Sequence, residues 1–382
     1  MQEVVFQTVK HIVCRPGATE DLPALCLQLA AQRILLITDP GLCAIGLVAP
    51  VVSRLEAAGF VVSVFGQVRE DPPESVVLEA VEAAYIIEAQ LILGFGGGSS
   101  MDVAKVVSVL ANSDQELVDI YGVDQIAGER LPLILVPTTA GTGSEVTPVA
   151  VLTTGETTKA GISSTKLLPD VALLDAQLTL GLPPAMTAMT GIDAMVHAIE
   201  AYTSRHRKNA YSDMAAREAL ICLSRNILTA VHQGDKLEAR SQMAFGSMLA
   251  GQAFANAPVA AVHALAYPIG GRFHIPHGLS NSLVLPSVLR FNASHAYKEY
   301  AELADLLKLG GDTAAHKTDK LIAYLVQLIS DVELPATLSQ VDIPFSSLEQ
   351  LATDAMEQQR LLINNPREVH YADALAIYNA AY

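Results

Sequence analysis

Residues 91–105 read LILGFGGGSSMDVAK: an apolar run, three consecutive glycines, then helix formers. That order describes a buried strand, a tight turn and a helix start, the repeating unit of parallel α/β domains. Gly96, Gly97 and Gly98 let the backbone approach a ligand closely and reach positive φ. Ser99 or Ser100 can cap the helix that follows, whose free N–H groups would face a pyrophosphate, and Asp102 falls in its first turn. The spacing departs from G-x-G-x-x-G, because the last position is Ser99. A glycine turn alone is weak evidence, since such turns also simply join strands to helices.

Working outward, Arg33–Thr38 and Val61–Phe65 precede this unit, and Leu133–Val136 and Val171–Leu174 follow it, all as short apolar β-rich runs. Glu74–Glu88 and Met101–Ala111 lie between them at helical spacing. The alternation predicts a mostly parallel sheet covered on both faces. Asp39 ends the first run, in RILLITDPG, where a carboxylate could accept hydrogen bonds from a ribose and repel a 2′-phosphate. Read by itself, Asp39-Pro40-Gly41 is better taken as a plain turn. A second polar loop, PTTAGTGSE at 137–145, either wraps a ligand or serves as a connection.

Past Leu182-Pro183-Pro184 the texture changes to long Ala/Leu/Glu/Met stretches, at Pro184–Tyr202, Ser212–His232 and Lys236–Ala255. The expectation is therefore an α/β domain over 1–180 and an all-helical domain over 181–382. With 382 residues the chain is long enough for two cores.

A formal net charge of −16 argues against nucleic acid or anionic membrane as partner. No apolar run approaches the ~18–20 residues of a membrane helix. The opening MQEVVFQTVKH lacks a basic start followed by an apolar core, so no signal peptide is expected. Cys14, Cys26, Cys43 and Cys222 are scattered without a C-x-x-C pair, which suits a reduced cytoplasmic chain with all four packed in apolar settings.

The helical half carries the metal chemistry. GIDAMVHAIEAY (Gly191–Tyr202) sets Asp193 and His197 one turn apart on one helix face. VHALAYPIGGRFHIPHG (Val262–Gly278) adds His263, His274 and His277. A carboxylate with imidazoles suits Fe²⁺ or Zn²⁺. Any one of these histidines alone reads as a structural residue. The apolar neighbours of His197 and His263 place both toward a core, where a shared ion would satisfy them. His274 has no separate argument and reads as a pocket or surface residue.

Taken together, ITDPG, GFGGGSSMDVAK, PTTAGTGSEVTP, GIDAMVHAIEAY and HALAYPIGGRFHIPHG resemble the iron-containing (group III) alcohol dehydrogenase family, nearly end to end. The resemblance implies a Rossmann-like N-terminal domain, an all-α C-terminal domain of the dehydroquinate synthase-like type, an active site in the cleft between them, and a homodimer or larger assembly. It implies Asp193, His197, His263 and His277 as metal ligands. Gly97, Gly98, Ser99 and Asp102 would hold the pyrophosphate of NAD. Thr138, Thr139, Thr147, Val149, Lys159 and Leu178 would line the rest of the dinucleotide site, with Asp39 favouring NAD over NADP. His263 and His277 would act in catalysis through the ion. Where many family members place a second histidine four residues after His263, this chain has Tyr267, expected in the catalytic set as a hydroxyl that can hydrogen-bond to substrate or ribose, though it titrates near ~10 rather than ~6.5.

The expected activity is hydride transfer between NAD(H) and a small alcohol or aldehyde. Val149, Val151, Phe254 and Tyr267 form a mostly apolar set of pocket candidates, which points to an aliphatic substrate. Two rivals remain at this level. One is a metal-dependent lyase of the dehydroquinate synthase type, which recycles its NAD. The other is a nucleotide- and metal-binding sensor without turnover.

Overall fold

The computed structural model describes residues 4–155 and 158–382; residues 1–3 of the opening stretch lie outside them. The chain divides into two compact units, one spanning Gln7–Gly181 and one spanning Leu182–Tyr382 together with the residues ahead of Gln7.

The first unit runs β1 (His11–Cys14), α1 (Leu22–Gln28), β2 (Arg33–Ile37), α2 (Pro40–Ala44), α3 (Val48–Ala57), β3 (Val61–Phe65), α4 (Glu74–Ile86), β4 (Leu91–Gly96), α5 (Gly98–Leu110), β5 (Gly122–Val123), β6 (Leu133–Pro137), β7 (Val149–Thr154), β8 (Thr158–Ser163) and β9 (Val171–Leu174). Six strands form a sheet in the order β1-β9-β6-β4-β2-β3, and every pair in it is parallel.

The apolar runs have no polar face because both faces of this sheet are covered. Strand alternation sends Leu35 and Ile37 of β2 to one side, where they join Ile92, Leu133 and Leu135 under Val77 of α4 and Val103 and Val107 of α5. Ile34 and Leu36 point the other way and join Leu91, Leu93, Ile134 and Val136 beneath Leu22 of α1 and Val51 and Leu55 of α3.

A second sheet, absent from the sequence reading, has the order β5-β8-β7, with β7 and β8 antiparallel. The cysteine expectation also needs correcting. Cys26 and Cys222 are buried, but Cys14 and Cys43 are exposed. Cys14 ends an edge strand and Cys43 lies in the short, solvent-facing α2, so neither reaches a core.

The second unit contains no strand among its described residues. It runs α6 (Pro184–Thr203), α7 (Ala210–His232), α8 (Leu237–Asn256), α9 (Ala261–Phe273), α10 (His277–Leu306), α11 (Ala314–Asp331), α12 (Leu348–Ala355), α13 (Gln359–Leu362) and α14 (Tyr371–Ala381). Pro184 starts α6, a position where its missing N–H costs nothing. Asn209 caps α7, accepting from the N–H groups of Tyr211 and Ser212. Helix α6 packs against α7, α8 and α10, and every residue from Gly191 to Thr203 is buried. A helix apolar all round belongs at the centre of its domain. Asp193 and His197 are carried on that central segment.

Candidate metal centre and nucleotide loops

Three helices bring four donors together. Asp193 and His197 project from α6, His263 from the first turn of α9, and His277 from the first residue of α10. The Nε2 atoms of His277, His263 and His197 lie 3.6, 3.8 and 3.9 Å from Asp193 Oδ1. The four donor atoms all fall within 4.8 Å of one another. Bonds of about 2.0–2.2 Å from a tetrahedral ion separate its ligands by roughly 3.3–3.6 Å, so the donors seat a divalent cation by drawing in a few tenths of an ångström toward Asp193 and up to about one ångström at their widest separation. The donor set fits Fe²⁺ or Zn²⁺. Asp193, His197 and His263 are buried, whereas the His277 side chain is 37% exposed, which leaves the cluster open on that side.

Close packing makes this convergence possible. A Cβ on Gly278 would lie 2.3 Å from the carbonyl oxygen of Met189, so only glycine lets the start of α10 touch α6 beside Asp193. His197 stacks between Phe254 of α8, at 4.3 Å between ring centroids, and His263, at 4.7 Å. Tyr267 lies one turn beyond His263, its ring 5.8 Å from that of His277. His274 stands apart from the cluster, exposed and in the left-handed conformation that ends α9.

Burial pushes the Asp193 carboxyl upward, but His197, His277 and His263, with a hydrogen bond from Asn281, outweigh it and hold it below the ordinary carboxylate range. The cluster therefore keeps an anion where a cation is to bind.

Glu200, which the sequence reading passed over, supports the cluster. Its Oε2 is 2.6 Å from His263 Nδ1, and its Oε1 accepts from the Val262 N–H at 2.7 Å. This carboxylate accepts a hydrogen bond from the His263 Nδ1–H, which leaves Nε2 as the lone-pair donor. The signal was present, because 193, 197 and 200 follow the i, i+4, i+7 stripe of one helix face.

In the first unit the glycine turn leaves β4 at Gly96, whose φ of +154° favours glycine and where a Cβ would meet Ser100 Oγ at 2.7 Å. The helix cap differs from expectation. Gly97 is the N-cap and no side chain caps α5. The third glycine already enters the helix, so Ser99 and Ser100 lie inside its first turn and the leading N–H groups are not spent on a hydroxyl. Asp102 accordingly falls beyond the first turn. It accepts from Ser144 Oγ at 2.6 Å and from the Val151 N–H at 2.9 Å.

Lys105, fully buried, completes the lock. It donates to Ser144 Oγ at 2.7 Å, Val149 O at 2.7 Å and Thr147 Oγ1 at 3.2 Å, with Asp102 Oδ1 at 3.5 Å. The glycine loop and the TGSE loop are thus one polar network. Thr138 is buried at the end of β6, with Thr139 beside it partly exposed, and Leu178 packs on the α1/α3 side of the sheet core. Lys159 is paired with Asp71. Asp39 Oδ1 caps α2 by accepting from the Leu42 N–H at 3.0 Å.

The family models described as "Iron-containing alcohol dehydrogenase" and "Fe-containing alcohol dehydrogenase family, C-terminal" match residues 10–176 and 187–382. The chain belongs to the iron-containing alcohol dehydrogenase family. It is an NAD-linked oxidoreductase of the alcohol/aldehyde class. This dehydrogenase is 42% identical to long-chain-alcohol dehydrogenase 1 of Geobacillus thermodenitrificans, over 99% of this chain and 96% of that one. The crystal structure of a 1,3-propanediol oxidoreductase superposes with a TM-score of 0.96 at 33% identity, covering 100% of both chains. Sulfoacetaldehyde reductase from Bifidobacterium kashiwanohense in complex with NAD+ superposes at 0.90 with 26% identity, covering 100% of this chain and 99% of that one.

Proposed function

We propose that this dehydrogenase interconverts a small aliphatic alcohol and its aldehyde, with Asp193, His197, His263 and His277 holding the iron and with zinc able to replace it. The convergence of those four donors carries the reading. A bound divalent ion supplies Lewis acidity toward the substrate oxygen. Asp193 provides the anionic charge that retains the cation, and Glu200 fixes the orientation of the His263 ring. Phe254, stacked on His197, gives the substrate side an apolar wall that excludes water, and Tyr267 offers a hydroxyl near His277. The uncapped start of α5 at Gly97, Gly98 and Ser99 receives the pyrophosphate of NAD, and Asp39 receives the ribose. Thr138, Thr139, Thr147, Val149, Lys159 and Leu178 complete the dinucleotide site, with Asp102 bracing its loop.

The relatives' names, a long-chain-alcohol dehydrogenase and a 1,3-propanediol oxidoreductase, support an unbranched alcohol or diol. We assign the enzyme to the cytoplasm as a homodimer or larger homo-oligomer. The four free cysteines and the family resemblance support this, and no described helix is long and apolar enough to cross a membrane.

The deciding measurement is NADH formation from a panel of short alcohols and diols by chelator-stripped enzyme, with Fe²⁺, Zn²⁺ or no metal restored. Metal-dependent, net NADH production is expected. NADH production by a metal-free His277→Ala protein would overturn the assignment, and substrate turnover that requires NAD yet leaves the NAD and NADH totals unchanged would indicate a lyase.

A further inference from the structure

Asn281 lies one turn beyond His277 on α10 and is fully buried. Its amide nitrogen donates to Asp193 Oδ1 at 2.7 Å and lies 3.3 Å from His263 Nε2 and 3.2 Å from His277 Nε2. The carboxamide thus reaches three of the four donor atoms from one position. Its other end behaves differently, because Oδ1 is buried and has no hydrogen-bond partner among the described residues. An amide that served only to knit the core would be satisfied at both ends. With the Nδ1 proton of His263 directed to Glu200, His263 Nε2 turns a lone pair toward both the cluster and this amide.

We infer that Asn281 is a fifth member of the metal centre, a positioning residue that sets how tightly the ion is held and with what coordination. The inference rests on the assignment of Asp193, His197, His263 and His277 as the ligands. Two properties suit asparagine to the task. Its N–H pins the Asp193 carboxylate without adding charge to the cluster. Its amide is neutral, yet it can present either a donor or a hard oxygen to the same point by turning about its last bond. A carboxylate there would add charge, and an apolar side chain would leave Asp193 without its hydrogen bond.

The test uses full-length protein, stripped by chelator and titrated with Co²⁺ and with Zn²⁺ against a chromophoric competitor. Wild-type protein should take up the ion tightly and develop the visible Co²⁺ band of a low-coordinate site. Asn281→Ala should weaken binding of both ions by roughly 10–100-fold and alter the Co²⁺ band. Asn281→Asp, with the same shape, should bind at least as tightly as wild type and shift the band toward higher coordination. Far-UV circular dichroism and a cooperative melt report that the helical unit of each variant is folded. Wild-type affinity with an unchanged Co²⁺ band in Asn281→Ala would overturn the inference and leave the four-ligand assignment standing. Failure of the wild-type protein to bind either ion would overturn that assignment, and the inference with it. If Asn281→Ala does not fold, Asn281→Asp decides the matter, and an affinity and band identical to wild type would overturn the inference.

Discussion

Glu145 shows how much a single buried side chain can hold. Burial pushes its carboxyl up to about 7, an effect that its own backbone hydrogen bond and Lys105 only partly offset. The folded protein therefore keeps a proton that the unfolded chain releases near 4.5. The stability this group contributes is fully present below the lower value and is lost as pH rises toward the upper one. Glu145→Gln should thus match wild type at about pH 4 and melt a few degrees higher at about pH 8. Melting temperatures at the two pH values check this, and a pH-independent difference would count against it. In the metal cluster, the sequence showed Asp193 and His197 as a pair because their spacing is one turn. Glu200 was legible on the same stripe but passed unnoticed, because a glutamate on a helix is ordinarily a solvated residue.

At the scale of elements, two contacts decide whether the sites exist. The first is the approach of α10 to α6. Gly278→Ala drives a methyl against the Met189 carbonyl, which must part the helices at the point where His277 faces Asp193. Overpacking of this kind costs about 1–3 kcal/mol, more than the ~1 kcal/mol alanine returns as a helix former. Purified Gly278→Ala should carry much less than the wild-type metal content and melt earlier, as elemental analysis and calorimetry would show. The second contact is the Lys105 network, which ties α5 to the loop before β7. Lys105→Met leaves the Val149 carbonyl without its donor and removes the cation beside Asp102, while the Ser144 hydroxyl keeps Asp102 as its acceptor. Losing the bond to Val149 costs about 1–3 kcal/mol in holding the loop before β7 on α5, so NADH affinity should fall by about tenfold, while Zn²⁺ affinity is unchanged. Fluorescence titration with NADH and chelator competition would separate the two effects. Periodicity gave no hint of this lysine, since lysines are almost never fully buried unless paired.

At the scale of the whole molecule, the metal donors belong to one compact unit and the glycine turn to the other. Each ligand that binds the folded form stabilises it by mass action, by about 2.7 kcal/mol at a hundredfold excess over its dissociation constant. Zn²⁺ and NAD should each raise the melting temperature. In Gly278→Ala the increment from Zn²⁺ should shrink while that from NAD persists. Loss of both increments in that variant would show that the substitution unfolds more than the helical unit. The net charge of −16 gives no attractive overall field, so on the proposed reading the phosphate-bearing cofactor depends on local backbone N–H groups.

The sequence by itself determined the elements whose signal is local. Fully apolar runs marked the strands of the parallel sheet, because a sheet covered on both faces needs no polar side. Glycine clustering marked the turn before α5, and the four-residue spacing marked Asp193 and His197 as neighbours. Tertiary structure decided what depends on residues far apart in the chain. It set the β5-β8-β7 sheet and the cap of α5 at Gly97 rather than at a serine. It also set the exposure of Cys14 and Cys43, the burial of Lys105 and the arrival of Asn281 and Glu200 at the metal centre. The physical reason is that a hydrogen bond to a partner tens of residues away leaves no periodicity in the sequence, and only packing brings the two ends together.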